Sequence, residues 1–182
     1  MNRINSLLAL PLALCLMFGG TPAVAQSKAI IDGNVREAVT QFNRLDKRHE
    51  HLAHRAAGVL IFPQVTKGGI ALAGEYGEGA LQVNGETVDY YSIASASVGL
   101  TAGMATHSEI ILFMTPDALH KFINSRGWSV GADTSVAVVS RGMAGDYDIN
   151  ALEKPVLVFV FGEKGLMADL SIAGSKINKI KK

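Results

Sequence analysis

From Lys28 to Ala57 the apolar residues Ile31, Val35, Ala38, Phe42, Leu45 and Leu52 recur at spacings of three, four or seven. That spacing places them on one stripe of a helix. Arg36, Glu37, Arg44, Lys47, Arg48 and Glu50 fall mostly elsewhere around it, so the pattern predicts one amphipathic helix lying on a core. The period then changes. Val59-Leu60-Ile61-Phe62 reads as a short strand stopped by Pro63. Beyond a glycine-flanked turn at Lys67-Gly68-Gly69, a longer strand with Ile70, Leu72 and Tyr76 leads to Leu81 and Val83. Its apolar phase slips by one across Gly77-Glu78-Gly79, which predicts a bulge or sharp bend. Asn84-Gly85 is a strong hairpin signal, because both residues tolerate positive φ. The returning strand alternates Val88, Tyr90, Ala94, Ala96, Val98 and Leu100 against Thr87, Asp89, Ser95 and Ser97.

Ile110 to Met114 is apolar on both faces, hence a buried strand. Thr115-Pro116-Asp117 starts a second, short helix, with the hydroxyl as N-cap and proline in the first turn. Leu119, Phe122 and Ile123 give it a core-facing stripe. Val136–Val139, Val156–Phe161 and Leu166–Ile172 supply further strands. Most links are too short for helical crossovers, and no strand-helix-strand unit repeats. The expected class is α+β: a strongly bent antiparallel sheet or partial barrel, with the N-terminal amphipathic helix and the short second helix packed on it.

The N-terminus changes where this fold is expected to work. Asn2 and Arg3 precede an uncharged apolar run from Leu7 to Phe18, and Ala23-Val24-Ala25 is a small-x-small cleavage site. Residues 1–25 therefore read as a signal peptide and residues 26–182 as the mature domain, periplasmic or secreted. The run is shorter than the roughly 20 residues that span a bilayer. Leu12-Ala13-Leu14-Cys15 loosely resembles a lipobox, but Leu14 stands where a small residue belongs, so cleavage after Ala25 is preferred to lipid anchoring at Cys15. A chain beginning at Gln26 has no cysteine, which removes disulfides and thiolate chemistry. With 17 Lys+Arg against 16 Asp+Glu, broad electrostatic capture of nucleic acid is not expected.

Candidate chemistry is sparse. In His49-Glu50-His51-Leu52-Ala53-His54 the metalloprotease pattern fails at Ala53, although His51 and His54 would share a helix face and hold zinc with a third ligand. The preferred reading is a polar, wet helix face. Gly74-Glu75-Tyr76-Gly77-Glu78-Gly79 has strand signals on both sides rather than a following helix, which argues for sheet bending over phosphate binding. Asp146-Tyr147-Asp148 reads as an exposed turn, and Trp128 as a core or rim aromatic. No catalytic residues, metal site or cofactor are predicted. Ser175 to Lys182 reads as a short lysine-rich tail after the last strand, either a frayed end or a weak attraction for anionic headgroups, with Lys67 as a possible addition to the same patch.

Together these segments resemble the SYLF domain. The resemblance rests on Ala57-Gly58-Val59-Leu60-Ile61-Phe62-Pro63, Lys67-Gly68-Gly69, Gly74 to Gly79, Tyr90-Tyr91, Ser97-Val98-Gly99-Leu100, Ile110 to Met114, Trp128 to Asp133, and Gly165-Leu166-Met167. Thr101 and Met104 depart from it, standing where the bacterial pattern usually has glutamines. The resemblance implies a non-enzymatic lipid-binding module, with phosphoinositide and actin binding among eukaryotic relatives. In an exported bacterial protein it implies an anionic phospholipid or membrane surface as partner, with actin only by family analogy. The lipid-binding candidates are Lys67, Arg44, Lys47, Arg48, Lys176, Lys179, Lys181 and Lys182. The alternatives are an envelope scaffolding protein that binds a protein partner, and a zinc- or histidine-dependent hydrolase.

Overall fold

The computed structural model describes residues 26–70, 72–98, 103–132, 135–139, 147–162, 165–167 and 174–182. Residues 1–25, expected to be a signal peptide and including Cys15, lie outside them, as do Thr101, Asp133, Asp146 and the end of the strand expected over Leu166–Ile172.

Helix α1 (Lys28–Leu45) opens on Ser27, whose side chain accepts from the Ile30 N–H, and buries Ile31, Val35, Ala38 and Phe42. The apolar stripe continues past Leu45, but the helix does not. Asp46 is extended, with φ −158° and ψ 134°, and its carboxylate accepts from the Arg48 N–H at 2.9 Å to start helix α2 (Lys47–Arg55). The single helix expected from the periodicity is thus two, because a strong N-cap interrupts the stripe without disturbing its spacing.

Strand β1 (Gly58–Ile70) runs through Pro63 instead of stopping there. Ile61 pairs with Ala80 on β2 (Leu72–Val83), but Gln64 pairs with Glu78, so Phe62 and Pro63 together oppose Gly79. The same irregularity recurs towards β4 (Gly103–Phe113), where Phe62 faces Glu109 and Val65 faces His107. A proline has no N–H for a ladder, and a bulge is where a sheet tolerates one. Ser108 Oγ donates to the Pro63 carbonyl at 2.8 Å. The expected irregularity near Gly77–Gly79 is therefore real, but its extra residue sits on β1. Lys67-Gly68-Gly69 is strand rather than turn, since Lys67 pairs with Glu75 on one side and Ala105 on the other. The hairpin from β2 to β3 (Glu86–Val98) turns at Asn84 and Gly85, with φ of 53° and 82°, as the sequence predicts.

Helix α3 (Pro116–Ile123), capped by Thr115, is followed by β5 (Trp128–Ser129), β6 (Val136–Val139), α4 (Ile149–Leu152), β7 (Val156–Gly162), β8 (Gly165–Met167) and β9 (Lys176–Ile180). The sheet order is β5-β9-β3-β2-β1-β4-β7-β6, with β8 also on β7, and it curls into an open half-barrel. Only β6–β7 is parallel among the described pairs. One face of the sheet, through Ile61, Ile110, Leu112, Phe159 and Phe161, packs on α1. The other, through Leu60, Phe62, Ile111, Phe113 and Val158, packs on Leu119, Phe122 and Trp128. Trp128 is a core residue. No described helix is long and apolar enough to cross a membrane.

Candidate functional site: a basic elbow and two buried polar clusters

The break at Asp46 collects cations. Arg44, Lys47 and Arg48 are all exposed at the corner where α1 turns into α2. Asp46 holds the Arg48 guanidinium at 2.8 Å, and the same guanidinium lies 4.4 Å from the centre of the Tyr147 ring. Beside it is a hollow of about 350 Å³ lined by Lys47, Arg48, His51, Leu52 and Leu152. Its lining combines basic side chains with two leucines, which suits an amphiphile.

This elbow is anchored from below by a residue expected on the wet face. His49 is completely buried, stacked on Phe42 with ring centroids 4.0 Å apart. Its Nδ1 meets the Phe42 carbonyl at 2.7 Å and its Nε2 the Tyr147 hydroxyl. Tyr147 is buried too, not part of an exposed turn. A buried imidazole whose two nitrogens both have partners carries no desolvation penalty for an unmade bond. His51 and His54 do stay exposed, as expected.

The C-terminal lysines are not a frayed tail. Residues Lys176–Ile180 form β9, paired with β3 and β5. Lys176 and Lys181 are exposed, whereas Lys179 binds Asp89 at 2.7 Å. Lys182 is taken up completely: its Nζ sits 2.7 Å from Glu78 Oε2 and 2.9 Å from the Gln26 carbonyl, with a side chain 7% exposed. It is withdrawn from any membrane-facing role. Gln26 precedes α1, whose 18 residues span about 27 Å, so Lys182 and the elbow lie at opposite ends of that helix. Lys67 sits mid-strand in β1, also apart from the turn in which it was expected. The eight candidate cations therefore form no single patch.

Burial alone would raise the Glu78 carboxyl, but hydrogen bonds from Lys182, Tyr76 and the Gln26 N–H outweigh it and hold its pKa below the usual value. Burial and the neighbouring Glu78 push Tyr76 up to about 12. A carboxylate with a depressed folded-state pKa contributes stability above its unfolded pKa of about 4.3 and loses it as the pH falls through the folded value. We expect Glu78→Gln to be less stable than the wild type at pH 7, with the gap closing below about pH 4 in urea titrations. A gap that stays constant with pH would show that the ion pair is not the cause.

The second buried cluster joins Glu75 on β2 to His107 and Glu109 on β4, across β1. His107 Nε2 is 3.2 Å from Glu75 Oε1 and 2.9 Å from Glu109 Oε1. Ser95 Oγ on β3 donates to Glu75 Oε2 at 2.8 Å. The three residues are 5%, 5% and 1% exposed, so their ionisable groups are withdrawn from bulk water.

A family model described as Ysc84, Las17-binding protein actin regulator, matches residues 94–182. Over those residues the chain matches the SYLF family, in agreement with the resemblance carried by its sequence motifs. No curated protein matches the chain. The match begins inside β3 and takes in every later element, so it includes β4, α3, Trp128, β7 and the lysines of β9. The elbow, β1 and β2 precede it. They are nevertheless built into the same sheet as the matched strands, because β1 and β2 lie hydrogen-bonded between β3 and β4.

Sequence reading missed the ion pair of Glu78 with Lys182 and the Glu75–His107–Glu109 cluster. Each joins residues far apart in the chain, so only the strand register brings them together. The one local signal is the pair of acids Glu75 and Glu78 among the glycines of β2, a stretch whose glycines and slipped apolar phase predict a bend.

Proposed function

We propose that this SYLF protein is a non-enzymatic, exported module that associates with anionic phospholipid membranes through the α1–α2 elbow. The observation that carries this reading is the hollow between Lys47, Arg48, His51, Leu52 and Leu152, next to the exposed Arg44. The cations attract headgroups while Leu52 and Leu152 offer apolar contact to the start of an acyl chain. Each cation near an anionic surface contributes about 1 kcal/mol, so Arg44 and Lys47 together amount to roughly thirtyfold in partitioning, the charge of Arg48 being offset by Asp46. Such attraction decays within a Debye length of about 8 Å at physiological ionic strength, which makes it dependent on salt. Export follows from the pattern of residues 1–25, and the expected setting is the periplasm or the exterior.

The test is flotation of the chain from Gln26 onward with vesicles of pure phosphatidylcholine and of phosphatidylcholine with phosphatidylglycerol. Recovery is expected only with the anionic vesicles, falling as salt rises from 0.05 to about 0.5 M. Equal recovery on both would remove the electrostatic basis of the proposal. The family description, a Las17-binding actin regulator, supports a second reading in which the module binds a protein partner. Absence of flotation on either vesicle, with capture of a defined envelope protein, would favour that reading.

A further inference from the structure

We propose that Glu75, His107 and Glu109 form a binding site for one divalent transition-metal ion, with zinc the best match to the ligand set. This site is separate from the elbow and does not depend on membrane binding. Among the described residues it is the one group of three or more His, Cys, Asp or Glu whose ligand atoms converge, all lying within 4.8 Å of one another.

The distances suit an ion. Zinc bonded at about 2.0–2.2 Å in a tetrahedron holds its ligand atoms about 3.3–3.6 Å apart. Here the imidazole nitrogen is 3.2 Å from one carboxylate oxygen and 2.9 Å from the other, and all three ligand atoms lie within 4.8 Å of one another, close to the edges such a tetrahedron requires. The chemistry also fits, since one imidazole and two carboxylates are a ligand set that suits zinc or manganese. Ser95 fixes Glu75 by its bond to Oε2, which turns Oε1 towards His107, the usual task of a residue behind a metal ligand. Glu109 lies inside the sheet, with Phe62 as its cross-strand neighbour on one side and Val160 on the other. An ion there would tie β2 to β4 over the intervening β1.

The competing arrangement is a proton-shared network without metal, in which a protonated His107 and the cross-strand Lys67 balance the carboxylates. The experiment takes the chain from Gln26 onward, stripped with EDTA and dialysed. It then measures zinc content by mass spectrometry and thermal unfolding with and without zinc chloride. One zinc per chain and a raised unfolding midpoint are expected. His107→Gln should abolish both, and Ser95→Ala, with the ligands intact, should weaken zinc about tenfold. The double variant His51→Gln/His54→Gln should leave both unchanged. Because His107→Gln could fail to fold, the same zinc titration is read on Ser95→Ala, checked for native circular dichroism. Zinc below about a tenth of an equivalent with no thermal shift would overturn the proposal in favour of the proton-shared network. So would binding lost in the His51/His54 variant but kept in Ser95→Ala at full affinity, which would place the ion on the surface of α2.

Discussion

Gly79→Ala is expected to destabilise the domain by about 3 kcal/mol, at the upper end of the range for overpacking. A β-carbon at this position would lie 2.0 Å from the Ile61 carbonyl oxygen and 2.8 Å from the Phe62 ring. The obstacle is backbone, held on both sides by the ladder of β1, so it cannot swing away as a side chain would. The substitution therefore strikes the bulge that lets Pro63 stay inside a central strand. Gly74 lies on the same strand, where a β-carbon would meet nothing within 4 Å, so Gly74→Ala serves as the control. Urea unfolding should show a much lower midpoint for Gly79→Ala at unchanged slope, and a shift within about 0.5 kcal/mol for Gly74→Ala. Equal shifts would mean that the bulge is not a tight point of the sheet.

Phe42→Ala should cost about 3–5 kcal/mol, a large share of the roughly 5–15 kcal/mol typical of a domain. Phe42 is 1% exposed and meets Phe159 edge-on at 4.9 Å, the stacked ring of His49 at 4.0 Å and the tilted ring of Phe161 at 5.7 Å. Its loss opens a cavity between α1 and the sheet and removes the support beneath the elbow. Unfolding by urea measures the first effect. A cost below about 1 kcal/mol would show that α1 is not essential to the core.

The fold was legible wherever local pattern and final environment agree. The stripe Ile31, Val35, Ala38 and Phe42 is the buried face of α1, Asn84-Gly85 is the hairpin, and Thr115 is the cap of α3. Reading failed where one residue type permits two outcomes. Asp46 continues a helical spacing but caps a new helix, and Pro63 stops a strand unless a bulge takes it in. Gly68 and Gly69 suit a turn, yet they serve a strand paired on both sides. Among the basic candidates Arg44, Lys47, Arg48, Lys176, Lys179 and Lys181 are exposed. Lys182 escaped that description because its partner, Glu78, lies 104 residues away in the chain. No spacing rule reaches across such a distance.

The elbow, rather than the edge strand, is taken to meet the membrane, and one comparison decides it. Vesicles containing phosphatidylglycerol are titrated with the wild type, with Arg44→Gln/Lys47→Gln, and with Lys176→Gln/Lys181→Gln. All four altered side chains are exposed, so the folded state should survive in both variants. Losing the two elbow cations should weaken partitioning by roughly thirtyfold, while the β9 pair should change it by less than about threefold. The reverse order, or no change from either pair, would contradict the assignment of membrane contact to the elbow.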